Sequence, residues 1–466
     1  MKIRRSIDVF GVGLGIVLCV SLSACHKPPP PSSPAAQNAQ LDWNLKTTVE
    51  AYHTGGHTDP KWDISAERAL SEFAKVRAGL PDTNESPSEI ISANATSAVQ
   101  AGCDDPMVNY LYIKYGKDQS DSKESFTAAL VKTAEAMNAS AYPPIRKFYA
   151  SFRAVQQYAW ANHYPTNWPA DMGDLRQVAE NNLFATLNDK TTPSQEIYDA
   201  CYEYLHMWSG SPVTHLNLYT RMEPALFANW PNDPYPLLLK GESYIDFAWD
   251  ARGSGYANTV TADGQRLFQE RLAVAQLALE DAWKLNPRDQ RIPEEMLRVE
   301  LGTGNGRSEM ELWFNRAMNL DPDDYSACSY KLYYLEPKWY GSDTDQLAFG
   351  HECLESTNWG GRVPLVLLDA HAAICGRLDS SEQPAYWKQP AVWPDLKAAF
   401  DRFFELNPDA VGWHHDYAHY AYLCGQWDEF LHQTTLFTAG TNYSYFGGKD
   451  AFDYMVETAK SVTGGK

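Results

Sequence analysis

The stretch whose reading decides the fold is Leu277–Asp289, LALEDAWKLNPRD, which returns in altered form as Leu312–Asp324, LWFNRAMNLDPDD. Pro287 and Pro322 stand 35 residues apart. In each copy an Ala lies five residues before the Pro, Ala282 and Ala317, and a bulky apolar residue lies eight before, Leu279 and Phe314. The Pro follows Leu-Asn or Leu-Asp, where a helix has to stop, because Pro lacks an N–H and disfavours helical geometry in its predecessor. The acidic residues after it suit the start of a following helix. A small residue lets one helix approach another closely, and a large one beside it fills the groove. Leu267–Tyr325 therefore reads as two stacked helical hairpins.

A period of about 34 residues with small and aromatic residues at these offsets resembles the tetratricopeptide repeat. Leu406-Asn407-Pro408 is a third hairpin ending, followed 17 residues later by Gly425 at the head of Gly-Gln-Trp-Asp-Glu-Phe. Upstream, Pro231 is followed by Gly241 and Tyr244, again small and then aromatic. The register is broken elsewhere: Pro322 and Pro408 are 86 residues apart, and Gly253–Gly264 looks like a loop inserted inside a hairpin. The resemblance implies an all-α, degenerate tetratricopeptide-like solenoid. Such a solenoid would bind on a concave face lined by the first helix of each hairpin. Here those helices include Tyr235–Trp249 and Val411–Cys424, and Tyr244, Trp249, Tyr417 and Tyr420 are the candidate groove residues.

Helix-like spacing also covers Trp62–Ala78, Ser88–Ala101, Pro106–Tyr115, Ser122–Met137, Pro144–Ala161, Leu175–Leu187 and Pro193–Trp208, with Pro or Ser at the starts. Val363–Leu368 is the only β-like run, and Leu365–Gly376 reads equally well as a buried helix. Residues 41–190 form an irregular helical section, and 191–466 carry the repeat signal, with a seam near Thr191–Pro193. One continuous solenoid is expected rather than two independent domains.

At the N-terminus a basic head, Met1-Lys2-Ile3-Arg4-Arg5, precedes an apolar run, Val9–Ser21, too short for a comfortable membrane span. Leu22-Ser23-Ala24-Cys25 then resembles a bacterial lipobox. The resemblance implies a signal peptide over 1–24, cleavage before Cys25, and lipid attached to Cys25; an ordinary signal peptide with an incidental Cys is the alternative. His26 in place of Asp favours the outer membrane, facing the periplasm, by the enteric sorting rule. Residues 25–40, with Pro28–Pro31 unbroken, read as an extended tether.

Formal net charge is −20; residues 1–24 carry Lys2, Arg4, Arg5 and Asp8, a net +2, so the remainder is near −22. Such a chain is not expected to bind nucleic acid. Cys103, Cys201, Cys328, Cys353, Cys375 and Cys424 lie beyond the lipobox. An exported compartment permits disulfides, and adjacent helices could bring Cys328 or Cys375 to Cys353; buried apolar packing of single thiols is the alternative.

His414-His415-Asp416 with His419 is the sharpest metal-like cluster, since His415 and His419 share one helical face. The usual catalytic zinc pattern has Glu after the first His, where Asp416 stands, so packing accounts for these residues more simply. His53, His57 and Asp59 around Gly55-Gly56 read as a polar turn. Gly253-Ser254-Gly255 and Gly302-Thr303-Gly304-Asn305-Gly306 lack the Lys-Ser/Thr of a phosphate loop and read as inter-helix turns. No nucleophile motif, cofactor motif or distinctive carboxylate pair stands out. The sequence also resembles, at Ala101–Pro106, Trp249–Tyr256 and Tyr334–Ser342, a family of bacterial helical proteins to which no activity attaches. The expectation is an envelope scaffold that binds a protein or peptide, without cofactor and more plausibly not an enzyme. Abundant Trp and Tyr make glycan binding, or glycan chemistry, the alternative.

Overall fold

The computed structural model describes residues 34–81, 85–116, 122–163, 168–208, 211–255, 257–437 and 440–464. The signal peptide, Cys25 and most of the tether lie outside these residues. Every regular element among them is helical, and none is a strand. The helices foreseen from spacing are present with shifts of a few residues at their ends, for example Asp63–Arg77, Pro87–Gln100, Lys123–Ala139 and Pro144–Ala161. Val363–Leu365 is a single 3₁₀ turn leading into the Val366–Gly376 helix, which settles the β-like run in favour of buried helix.

Two expectations are corrected. Pro34–Leu45 is an α-helix, so the last part of the supposed extended tether is folded. Its sequence, Pro-Ala-Ala-Gln-Asn-Ala-Gln, is rich in good helix formers, and Gln40 is buried with its amide on the Glu196 carboxylate. Pro106–Tyr115 is not one regular helix: Tyr112–Gly116 widens into a π turn that carries Lys114.

The helix stop seen in the sequence recurs as one local geometry. Asn286 and Asp321, each just before its Pro, have φ/ψ of −141/84 and −136/99 and donate their N–H to the carbonyls of Ala282 and Ala317. Asn407 before Pro408 and Trp230 before Pro231 do the same, to Phe403 and Leu226. Pro cannot take helical geometry in the residue before it, so the chain turns extended there and the next helix starts afresh. Asp233, Asp289 and Asp324, each two residues past its Pro, then accept backbone N–H groups at the next helix start, from Tyr235, Arg291 and Ala327. Pro408 has Ala410 at that place, and there the chain first makes a 3₁₀ turn, Val411–Trp413, with no side-chain cap.

The chain divides into two compact units, one within Pro28–Ile292 and one within Pro293–Lys466. The seam expected at Thr191–Pro193 lies inside the first. In that unit consecutive helices pack on one another, above all Pro234–Arg252 against Ala262–Leu285, the hairpin that holds the Gly253–Gly264 insertion. Gly241 sits at their contact; a Cβ there would come within 2.5 Å of Leu279. The core gathers Tyr52, Phe73, Ile91, Leu111, Met137 and Val155, among others. A buried ionic network adjoins it: Arg146 donates to Asn44 and Thr47 at 2.6 and 2.8 Å, and Arg77 pairs with Glu196 at 2.9 Å.

In the second unit Asp343–Glu355 packs on Val366–Gly376, and His414–Leu423 on Trp427–Thr434. Gly425, at φ 72°, makes the turn between the latter pair, where the sequence places it. Gly304 and Gly306, at φ 65° and 113°, likewise form the turn between Arg291–Thr303 and Arg307–Leu320. Ala282 in the first unit and Ala317 in the second are each fully buried, as the close approach of helices requires. The six described cysteines are all buried thiols. Cys328 donates to the Met318 sulfur at 3.8 Å, and burial pushes the Cys353 thiol well above its ordinary value, with Cys328 adding to the shift.

Candidate functional site

The four aromatic groove candidates occupy different settings. Tyr244 is half-buried on Pro234–Arg252, edge-on to Tyr219 and Phe247, with the Lys240 ammonium 5.7 Å from its ring centre. Trp249, also half-buried, meets Phe268 edge-on at 4.9 Å. Tyr420 is half-buried against Trp387. Tyr417 is 3% exposed and stacks on Phe400 at 4.4 Å, so it belongs to the core and not to a groove wall. The helix turns this position inward because Val392–Leu406 covers it, a contact that spacing within one helix does not reveal.

The histidine cluster does not converge. His414 meets the Gln433 side chain through Nδ1 at 2.7 Å. His415 has the Gly412 carbonyl at Nδ1 and accepts the Asn442 N–H at Nε2, each at 3.1 Å, so both ring nitrogens are engaged. Its ring stacks on Phe437 at 3.9 Å. His419 has no partner at Nδ1 among the described residues, and desolvation lowers its pKa to about 4, which keeps it neutral at pH 7. Among the described residues no group of three or more His, Cys, Asp and Glu is placed to hold a metal. His53 and His57 are likewise separated, one beside Glu67 and the other beside Asp104.

A cleft of about 320 Å³ opens instead in the first unit, lined by Tyr110, Lys114, Phe126, Leu130, Arg153, Gln156, Gln157 and Trp160. Four elements build it. Pro106–Leu111 and the π turn supply Tyr110 and Lys114; Lys123–Ala139 supplies Phe126 and Leu130; Pro144–Ala161 supplies the rest. A π turn adds a residue to the helical circuit and re-aims the side chains on it, which is why such turns gather at functional places. Arg153 is held by Glu203 at 2.6 Å and by the Gln156 side-chain oxygen at 2.6 Å. Lys114 makes no ion pair among the described residues; the rings of Tyr115, Phe73 and Tyr110 lie 5.1–6.0 Å from its ammonium. Trp160 is 53% exposed, with the Lys123 ammonium 4.4 Å from its ring centre.

Sequence reasoning missed this cleft. Lys114 and Arg153 are 39 residues apart, and each reads singly as a solvated helix charge. The one available signal was Tyr-Ile-Lys-Tyr-Gly over 112–116, where Gly116 ends a short run of aromatics around a lysine. No known family model matches the chain, and no curated protein matches it significantly.

Proposed function

We propose that this chain is an exported, lipid-anchored helical-repeat scaffold that docks a protein or peptide in the bacterial cell envelope. The observation that carries the proposal is the recurrence, at Trp230, Asn286, Asp321 and Asn407, of one helix stop with the same hydrogen bond and the same following Pro. Repeated joints of that kind are how tetratricopeptide-like hairpins are strung together, and proteins so built work as binding surfaces. The lipobox-like Leu22–Cys25 supports export and anchoring to the outer membrane. Half-buried Tyr244, Trp249 and Tyr420 supply aromatic faces suited to a peptide side chain.

Photo-crosslinking residues placed singly at Tyr244, Trp249 and Tyr420 in growing cells test the proposal. The expected result is one discrete envelope-protein adduct from at least one position and none from a control at exposed Lys388. Absence of any adduct, together with binding on a glycan array, would replace docking of a protein by recognition of a sugar.

A further inference from the structure

We propose that the Lys114–Arg153 cleft binds a small organic monocarboxylate with a flat or aliphatic apolar body. Three observations meet there. On a chain of formal charge −20, the described residues lining the cleft include two cations and no carboxylate. Arg153 is already neutralised by Glu203, whereas Lys114 is exposed and has no ionic partner among the described residues, so its ammonium is open to an anion. A single carboxylate matches that count, and a phosphate monoester dianion would bring a surplus charge.

The walls define the rest of the ligand. Phe126 and Leu130 on one helix and Trp160 on another offer an apolar surface. The Gln156 oxygen is taken by Arg153, which leaves its NH₂ group, with the Gln157 amide, to orient a polar end. A volume of about 320 Å³ is at the small end of ligand pockets, suited to a body of one or two rings.

The site also couples binding to a proton. Lys114 is faced by Tyr110 and Tyr115 from its own segment, by Arg77 from Asp63–Arg77, by Arg146 and Arg153 from Pro144–Ala161, and by Glu203 from Ser194–His206. Lys114 keeps exposed surface, yet its pKa is lowered to about 7, first by desolvation and then by Arg153 and Arg77, against the opposing pull of Glu203. A carboxylate beside the ammonium restores its charge. Binding above neutral pH therefore takes up a proton, and affinity falls by up to about tenfold per pH unit as the free lysine deprotonates.

Isothermal titration of the full chain with 4-phenylbutyrate, in two buffers of different ionisation enthalpy, reads both effects. The intact chain is expected to bind with proton uptake at pH 8. Lys114→Met, which keeps the apolar stem, is expected to lose about tenfold or more in affinity and to abolish the uptake; Lys132→Met, an exposed change on a neighbouring helix, leaves both unaltered. The neutral isostere 4-phenyl-1-butanol should bind about tenfold more weakly or worse, and phenyl phosphate no better than the carboxylate. Failure of the intact chain to bind 4-phenylbutyrate would overturn the proposal. So would equal binding by Lys114→Met with an unchanged circular dichroism spectrum, or equal binding of the alcohol.

Discussion

His419 shows how one side chain can set acid sensitivity. It retains an exposed edge, but Tyr420 and Phe446 lie against its ring, and its pKa is lowered to about 4. In the unfolded chain it would titrate near about 6.5. Its contribution to stability is therefore present above about pH 6.5 and is lost as pH falls towards 4. Asp369, in contact with the Tyr325 hydroxyl, has the opposite sign: burial raises its pKa to about 6, so its share of stability is lost as pH rises from about 4 to 6. His419→Leu should then weaken the loss of stability on acidification by about 1–2 kcal/mol, a figure reduced for the exposed edge. Asp369→Asn should remove the opposing decline and stabilise the chain at pH 7. Urea unfolding of both variants between pH 4.5 and 7 checks the signs; a parallel pH profile for wild type and His419→Leu would contradict the first. The shared helical face of His415 and His419 was legible from their spacing. That His415 is occupied by Gly412 and Asn442 was not, because Asn442 arrives from 27 residues away.

At the level of helices, the close approach at Gly241 makes a sharp prediction. Gly241→Ala gains helix propensity, about 1 kcal/mol in isolation. It also drives a methyl group into the branched end of Leu279 at 2.5–2.6 Å. Overpacking of this kind costs about 1–3 kcal/mol, so the net effect on thermal unfolding should be destabilising; Gly241→Ala paired with Leu279→Ala should recover part of the loss. The Pro-centred joints predict a gain. Ala410 stands where Asp233, Asp289 and Asp324 cap their helices, and the backbone bond Val411 N–H to Asp409 carbonyl repeats that of Tyr325 to Asp323. Ala410→Asp should supply the missing cap and stabilise the chain by about 0.5–2 kcal/mol in denaturant unfolding; Asp324→Ala should cost a similar amount. These joints were readable in advance because Pro and Asp act on their immediate neighbours. The π turn at Tyr112–Gly116 was not, since nothing within five residues separates it from the α-helix it continues.

For the molecule as a whole, attachment and charge are the properties with cellular consequences. No described helix is long and apolar enough to cross a membrane. On the proposed lipid anchor, Cys25→Ala should abolish labelling by radioactive palmitate and move the protein out of the membrane fraction. Unchanged labelling would remove the lipid from the account. Lipid chains gain about 0.8 kcal/mol per buried methylene, and a chain of charge −20 has little electrostatic attraction to an anionic bilayer to put in their place.

The order of residues was sufficient by itself to determine that the chain is helical, where several helices stop, and which small residues, Gly241, Ala282 and Ala317, must be covered. Those properties arise from backbone geometry and from apolar periodicity over a few turns. Only the tertiary structure decided that Tyr417 is core, that the histidines stay apart, that residues 34–40 fold, and that Lys114 lines a cleft with Arg153 and has no ionic partner among the described residues. Each of these depends on which distant helix supplies the neighbour, and burial, ion pairing and pKa are set by that neighbour rather than by the residue itself.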